Sequence, residues 1–186
     1  MRLYHTGFQK IPAPDVHYGR KNADFGQGFY LTAEEDFAAR WAGERKGETT
    51  YVNVYDLDLE GLRVHRFRRD GDWFSYIAAN RSGKEDMLQE ADVIIGPIAN
   101  DTLYDTFGII SSGYLSREEA LSLLLLGPEY QQIVLQTRRA AERLTWRGAR
   151  VLEPAELRQL RRIVAEEEKA YQAAFAETMA GWTEEE

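Results

Sequence analysis

Alternating and continuous runs of hydrophobic residues, separated by polar or glycine-containing turns, recur along most of the chain. Residues 2–6 and 29–32 are short aromatic and β-branched runs, and the loop between them contains Pro12 and Pro14, which favour extended backbone. In residues 49–59 apolar and polar side chains alternate with the period of two that is typical of a strand with one wetter face. These three segments are predicted to be strands.

Further strands and helices are predicted from the same periodicities. The strand candidates with high Val, Ile and Leu content are residues 62–67, 92–98, 130–137 and 149–152. Helical spacing predicts helices after Thr32 and over residues 72–80, 102–107, 116–126 and 138–144, with one long helix from Pro154 onward. Short strands interrupted by helices, without regular βαβ alternation, indicate an α+β class.

The predicted helix starts depend on side chains that accept hydrogen bonds from the first backbone N–H groups of a helix. Thr32 and Ser116 are each followed three residues later by a glutamate, Glu35 and Glu119, which is the pattern of a capping box. Asp72 is predicted to cap the helix over residues 72–80. The spacing of the helix after Thr32 predicts that its buried residues are Phe37, Ala38, Trp41 and Ala42.

The last helix carries an apolar stripe that some other surface must cover. Its members recur at helical spacing: Leu157, Leu160, Val164, Tyr171, Phe175 and Met179. Packing back onto the rest of the chain is the simplest arrangement, and a dimer partner is an alternative. Since no repeat or low-complexity linker divides the sequence, we expect a single domain over residues 1–152 and a helical C-terminal extension over residues 153–186.

Composition narrows the classes of function. The 186 residues are 44% apolar, enough for a sizeable core, and the net charge of −8 disfavours a general binder of phosphate backbones. The absence of cysteine excludes disulfides and thiolate zinc sites, and the three histidines lack the spacing of metal ligands, so no metal is expected. No apolar run is long enough for a membrane span and no signal peptide is recognisable, so we expect a cytoplasmic protein without membrane contact; an effector exported by a signal-free route would look the same.

One basic run stands out against this acidic background. It comprises Arg63, His65, Arg66, Arg68 and Arg69. We interpret this run as an exposed hairpin, and contact with an acidic target or a nucleic acid is the alternative.

The strongest chemical signal lies in residues 19–32, GRKNADFGQGFYLT, where glycines bracket an aromatic pair just before a helix. Gly26 and Gly28 allow backbone to approach a ligand closely, in conformations that other residues avoid. Taken alone, this pattern is better explained by a tight turn that leads into a strand. It becomes specific together with the N-terminal LYHTG, residues 3–7.

In these two motifs the chain resembles the ADP-ribosyltransferases of the diphtheria-toxin and poly(ADP-ribose) polymerase branch. Their first strand carries a histidine in a pattern like WHGS, and their second carries FGKGIYFA before a helix. Over roughly residues 3–145 the sequence is still more similar to a bacterial family of unknown function, domain-of-unknown-function family 3990, of the same superfamily. That similarity includes the glycine motif, Asn80-Arg81, GPIANDT at residues 96–102 and QIVLQT from Gln132.

The resemblance implies a fold and an NAD⁺ site. The fold is a pair of split antiparallel β-sheets with surrounding helices, here followed by a long C-terminal helix. By resemblance His5 hydrogen-bonds the adenosine ribose of NAD⁺, and Tyr30 stacks on the cationic nicotinamide. The other residues that the resemblance assigns to the NAD⁺ site are Thr6, Gly7, Phe25, Gly28 and Phe29.

Charged residues before the glycine turn are further candidates. Arg20, Lys21 and Asn22 are suitable for contact with the pyrophosphate, because guanidinium and ammonium groups pair well with phosphate oxygens. Solvated loop charges are the equally simple interpretation.

The third element of the superfamily departs from the pattern. The polymerases carry a glutamate in the strand pattern NEYIVY, and aligning its IV with Ile133-Val134 puts Gln131 at the glutamate with Gln132 beside it. Glutamine can accept a hydrogen bond from a ribose hydroxyl, but it has no charge to offset an oxocarbenium and cannot take a proton. This difference argues against polymerisation and leaves mono-transfer or NAD⁺ hydrolysis open.

A carboxylate from elsewhere can supply the missing charge. Asp101, just after a predicted buried strand, is the preferred candidate, although a helix N-cap is its alternative role, and Glu129 is the second candidate. The predicted catalytic residues are therefore His5, Tyr30, Gln131 and Asp101, with Gln132 as a contact to the nicotinamide ribose.

These implications lead to one main hypothesis and two alternatives. The chain is expected to be a mono-ADP-ribosyltransferase that moves ADP-ribose from NAD⁺ to a protein or nucleic-acid acceptor, as the toxin of a toxin–antitoxin pair. In that case the apolar stripe of the last helix can also bind an antitoxin helix. The alternatives are a non-catalytic NAD-binding or partner-binding module and an NAD⁺ glycohydrolase.

Overall fold

The computed structural model describes residues 1–99 and 113–183, without the side chain of Thr183. Its strands are β1 Arg2–Gly7, β2 Phe29–Leu31, β3 Tyr51–Leu57, β4 Val64–Arg66, β5 Val93–Pro97, β6 Gln131–Leu135 and β7 Leu144–Val151. Its helices are α1 Glu35–Arg40, α2 Gly71–Arg81, α3 Arg117–Leu124, α4 Arg138–Glu142 and α5 Pro154–Thr183. The chain is therefore a mixture of α and β structure with two sheets, which confirms the predicted α+β class.

The first sheet is antiparallel, with the strand order β1-β3-β7. Tyr55 and Leu57 are buried on one face of β3 and Val52 on the other, and the strand that the period of two predicts is confirmed. The prediction for β7 was wrong in its bounds, because the strand begins at Leu144 rather than at residue 149. Gly148 has a φ of 132° beside a shift of register, so the regular alternation that identifies a strand is interrupted there.

The second sheet has the order β2-β6-β5-β4, and it is mixed rather than antiparallel. β4 runs parallel to β5, which corrects the expected pair of antiparallel sheets. The reason is the crossover: α2 connects the two strands, and a helical connection of this kind returns the chain in the same direction.

The basic run at residues 63–69 is not a hairpin, for the same reason. Its strand, β4, pairs with β5, and Arg69 beyond it donates hydrogen bonds to the carbonyls of Leu124 at 2.6 Å and Leu126 at 2.9 Å. Arg69 thus holds the end of α3, where carbonyl groups lack partners within the helix.

The two sheets meet at one bridge between β1 and the end of β2. The Tyr4 N–H donates to the Thr32 carbonyl at 2.8 Å, and the Thr32 N–H donates to the Tyr4 carbonyl at 3.1 Å. The Thr32 hydroxyl accepts from the Glu34 N–H at 3.2 Å, ahead of the helix, and α1 starts after Glu34 without a side-chain cap. The predicted capping box at Thr32 was wrong.

Of the other predicted helix caps in the described residues, one is confirmed and one was wrong. Ser116 and Glu119 form the predicted capping box at the start of α3. The side chain that caps α2 is Asp70, which accepts from the N–H groups of Asp72 and Trp73, so the prediction of Asp72 was wrong by two residues. The predicted Asp101 cap and its helix over residues 102–107 lie outside the described residues.

The apolar stripe of α5 packs against the chain itself. Leu157 and Leu160 contact a cluster that contains Ala39 of α1 and Val52 of β3. Farther along, Tyr171 and Phe175 pack with Leu123 of α3. α5 thus packs against α1. None of the described helices is long and apolar enough to cross a membrane.

Candidate functional site: a cleft where the sheets part

Two adjoining cavities open beside the bridge at which β1 and β2 meet. The first, the histidine cavity, has a volume of about 180 Å³ and is lined by Tyr4, His5, Thr6, Tyr30, Leu31, Thr32, Ala38 and Trp41. The second, the glutamine cavity, has a volume of about 330 Å³ and is lined by Arg20, Ala23, Asp24, Tyr30, Trp41, Ile98 and Gln132. Tyr30 and Trp41 line both cavities, so together the two form one cleft.

His5 is fixed at the inner wall of the histidine cavity. Its Nδ1 lies 2.7 Å from the carbonyl oxygen of Tyr30, and its ring packs on Phe29 with 4.5 Å between centroids. Because a carbonyl only accepts, Nδ1 carries the hydrogen of this bond. Burial lowers the pKa of His5, against the opposing effect of its bond to the Tyr30 carbonyl. The neutral ring therefore presents Nε2 as an acceptor for a hydroxyl group.

Gly7 leaves room beside that acceptor. A Cβ atom at this position would stand 3.7 Å from Nε2 of His5, so glycine keeps the approach to the imidazole open.

Tyr30 is held by the turn that precedes it. Its hydroxyl donates to the Gly26 carbonyl at 2.7 Å and accepts from the Phe25 N–H at 3.1 Å. Burial raises the pKa of this phenol well above its usual value. Since the hydroxyl is engaged with backbone, the part of Tyr30 that can meet a ligand is the face of its ring.

The glycines of the motif are explained by packing inside the chain. A Cβ at Gly28 would lie 2.6 Å from Cγ1 of Val134 and 2.7 Å from the carbonyl oxygen of Leu135, both on β6. A Cβ at Gly19 would lie 2.6 Å from the Gly28 carbonyl oxygen, and Gly26 has a φ of 73°. The turn therefore needs glycine so that it can lie flat against β6, whether or not a ligand binds.

The two glutamines occupy different environments. Gln132 is buried, lines the glutamine cavity and donates through Nε2 to the Pro97 carbonyl at 3.3 Å, which leaves its Oε1 as an acceptor. Gln131 is exposed, and its Nε2 lies 3.4 Å from Glu129. The structure thus brings Gln132 into the cleft, whereas Gln131 and Glu129 are not among the residues that line it.

The remaining predicted site residues also divide. Thr6 lines the histidine cavity and Arg20 the glutamine cavity. Phe25 and Phe29 are buried in the hydrophobic core rather than in the cleft wall. The other candidates that do not line either cavity are Gly7, Lys21, Asn22 and Gly28. Asp101 lies outside the described residues.

Sequence reasoning did not assign Trp41 or Asp24 to the cleft. Trp41 was expected to be buried on α1, but the helix ends at Arg40, and Trp41 is 39% exposed between the two cavities. Asp24 lies within the glycine motif, but the motif did not predict a role for it. It is a buried acid that lines the glutamine cavity and pairs with Arg81, and the only sequence signal was the Asn80-Arg81 pair at the end of α2.

Comparison with known proteins gives a family but no activity. Residues 1–146 match the model of a family whose description is "Protein of unknown function (DUF3990)", and this match covers well over half of the chain. No curated protein and no solved structure matches the chain.

Proposed function

The chain belongs to the DUF3990 family, and on that premise we propose that it is a mono-ADP-ribosyltransferase that binds NAD⁺ in the cleft and moves ADP-ribose to a macromolecular acceptor. The observation that carries this proposal is the joining of His5 and Tyr30. They are linked by a hydrogen bond of 2.7 Å, and both line one cavity. Those are the two residues that the ADP-ribosyltransferase resemblance assigns to NAD⁺.

The shape of the cleft supports a folded dinucleotide. Pockets for ligands of this kind commonly occupy about 300–1,000 Å³, and the two adjoining cavities, of about 180 and 330 Å³, together reach that range. Neutral His5 offers Nε2 to a ribose hydroxyl, while Tyr30 and Trp41 offer aromatic rings to the cationic nicotinamide. Arg20 provides a guanidinium in the glutamine cavity, where a pyrophosphate can pair with it.

The reaction breaks the bond between the anomeric carbon and the nicotinamide nitrogen. The electron pair of that bond leaves with neutral nicotinamide, positive charge develops on the ribose, and the acceptor attacks the anomeric carbon and gives up a proton. Gln132 can hold a ribose hydroxyl through Oε1 but adds no charge. A site of this kind favours single transfer over the formation of long chains.

The proposal is tested by incubating the purified protein with NAD⁺ and measuring released nicotinamide, then adding cell lysate and NAD⁺ labelled in the adenylate part. We expect nicotinamide release and label on protein or nucleic acid. His5→Ala is expected to weaken both signals, and His17→Ala, which changes an exposed histidine, is the matched control. The proposal fails if the wild-type protein gives neither nicotinamide nor label.

A second candidate is a non-catalytic NAD-binding or partner-binding module. It is favoured by the neutral Gln132 at the position where the reacting ribose would lie. Calorimetric binding of NAD⁺ without release of nicotinamide would identify it. Free ADP-ribose formed in the absence of acceptor would instead indicate an NAD⁺ glycohydrolase.

The acceptor and any antitoxin belong to the same proposal. A toxin of a toxin–antitoxin pair would modify an essential protein or nucleic acid of its own cell, and its neutralising partner would block the cleft or bind α5. The apolar residues Leu157, Tyr171 and Phe175 are covered by α1, β3 and α3 of this chain, so an antitoxin or homodimer contact through α5 would use its polar face. The predicted toxicity is measured by comparing the growth of host cells that express the wild-type protein with the growth of cells that express variants of the NAD⁺ site.

A further inference from the structure

One carboxylate lines the cleft in the described part of the chain, and it is Asp24 in the glutamine cavity. We propose that Asp24 is a catalytic residue whose carboxylate stabilises the positive charge that develops on the ribose when nicotinamide leaves. This inference rests on the proposed function. Asp24 takes the role of the glutamate that the strand of Gln132 lacks. It concerns a residue of the glycine turn rather than of β6.

Asp24 is built into the fold as a buried ion pair. Its Oδ1 lies 2.8 Å from Nε of Arg81, and the side chains of the two residues are 10% and 12% exposed. Its backbone carbonyl accepts a hydrogen bond of 3.0 Å from Nδ2 of Asn80. Burying a charge is costly even when it is paired, so an ion pair at the wall of a cavity indicates a use other than stability.

The segment that carries Asp24 is fixed on both sides. The Gly26 N–H donates to the Ala23 carbonyl at 2.9 Å, and the Phe25 N–H donates to the Tyr30 hydroxyl. The Phe25 carbonyl accepts a short hydrogen bond from the side chain of Gln136. The carboxylate is therefore held in place beside the ring of Tyr30, and preorganised charges of this kind act most strongly on a transition state.

The chemical role is electrostatic and needs no further reactant. The bond between the anomeric carbon and nicotinamide breaks with its electron pair on the nicotinamide nitrogen, and Asp24 remains ionised while the ribose carries positive charge. The acceptor then attacks the anomeric carbon, and its proton leaves to solvent. Gln132 contributes a hydrogen bond to the ribose, and Asp24 contributes a carboxylate whose charge is shared with Arg81.

The test compares Asp24→Asn with Asp86→Asn. Both substitutions remove one carboxylate and keep the size of the side chain. Asp86 lies close to the same turn, accepts from the Tyr76 hydroxyl at 2.7 Å and from the Leu88 N–H at 2.8 Å, and does not line either cavity. We expect Asp24→Asn to lower kcat for nicotinamide release about 100-fold, as the loss of one preorganised electrostatic group does. NAD⁺ affinity should stay within about threefold, and Asp86→Asn should retain the wild-type kcat.

A second variant separates catalysis from stability. Asp24→Asn alone removes the carboxylate that pairs with Nε of Arg81, whereas Asp24→Asn with Arg81→Gln removes both charges of the pair. We expect this double variant to fold and bind NAD⁺ with kcat still reduced about 100-fold.

Four results would overturn the inference. Wild-type turnover in Asp24→Asn, or recovery of turnover in the double variant, would show that the carboxylate does not act on the reaction, while the proposed function stands. Equal losses of NAD⁺ affinity and thermal stability with kcat unchanged would assign Asp24 a structural role. If the wild-type protein releases no nicotinamide, the proposed function fails and the inference with it.

Discussion

The two cavities of the cleft share an aromatic wall but differ in charge. Among the described residues, the histidine cavity is lined by side chains without a formal charge at neutral pH, since burial lowers the pKa of His5. The glutamine cavity contains both Arg20 and Asp24. Under the proposed function, the first cavity would select the ligand by shape and hydrogen bonds, and the second would place charge where the reaction develops it.

The largest effect is expected at the glycine turn, because it leads into Tyr30, which lines both cavities. Gly28→Ala puts a Cβ within 2.7 Å of atoms on β6, including the Leu135 carbonyl oxygen, which cannot move away as a side-chain end can. Overpacking of this kind costs about 1–3 kcal/mol and sometimes more. We expect a lower Tm and loss of NAD⁺ binding in both cavities, measured by thermal unfolding and calorimetry.

Gly71→Ala is the control for that substitution, because a Cβ at Gly71 meets nothing within 4 Å. Its Tm should match that of the wild-type protein. A stable Gly28→Ala variant that still binds NAD⁺ would mean that the turn can shift on β6 without changing the cleft.

Removal of the Tyr30 hydroxyl should lower stability without changing the aromatic ring that lines both cavities. Tyr30→Phe keeps the ring but leaves the Phe25 N–H and the Gly26 carbonyl without this partner. A buried backbone group without a partner costs about 1–3 kcal/mol. Chemical denaturation should show that loss, whereas NAD⁺ affinity at a temperature where the variant is folded should change little. A large loss of affinity with unchanged stability would mean that the hydroxyl meets the ligand.

His5→Gln sharpens the contrast between binding and rate. The substitution exchanges Nε2 of an imidazole that is fixed on the Tyr30 carbonyl for the flexible amide of glutamine, which weakens the hydrogen bond to the ligand, and one hydrogen bond contributes about 0.5–1.5 kcal/mol. We expect a weaker Kd for NAD⁺ by about two- to tenfold, the equivalent of that energy, with kcat little changed. Asp24→Asn should do the reverse. If both variants change the same constant, the cleft has no such division.

The sequence predicted those parts of the fold that depend on local patterns. Alternation and β-branched content identify β1, β3 and β6, and the spacing of Ser116 and Glu119 identifies the start of α3. The parallel pairing of β4 with β5 was not predictable from those patterns, because it depends on where α2 returns the chain. The start of β7 was missed because Gly148 interrupts its alternation.

The candidate site was predictable only where a motif carries it. His5 and Tyr30 came from the resemblance, and the structure brings both to one cavity. The choice between Gln131 and Gln132 depends on one residue of register, since successive side chains of a strand point to opposite faces. Asp24 and Trp41 could not be assigned, because their exposure depends on the path of a loop and on where α1 ends.

The smallest expected effect is a pH dependence of the histidine cavity. The folded state lowers the pKa of His5 beneath its unfolded value of about 6.5, so as the pH falls the unfolded chain takes up the proton first. Stability should therefore be constant above about pH 6.5 and decline below it, by at most about 1.4 kcal/mol per pH unit for one proton. Protonation also turns Nε2 from an acceptor into a donor, so NAD⁺ affinity should fall at the lower pH at which the folded protein takes up this proton.

The carboxyl of Asp56 titrates in a lower window than His5. Hydrogen bonds from Arg2 and Arg147 lower the pKa of Asp56 to about 2. The stability that this carboxyl contributes is present above the unfolded value of about 3.9 and is lost only below it. Denaturation between pH 7 and 5 should thus report on His5, with a flatter profile for His5→Gln and an unchanged one for His17→Gln. If the stability of His5→Gln falls with pH as steeply as that of the wild-type protein, His5 is not the group that titrates in this range. The difference in charge between the two cavities then does not depend on a neutral His5.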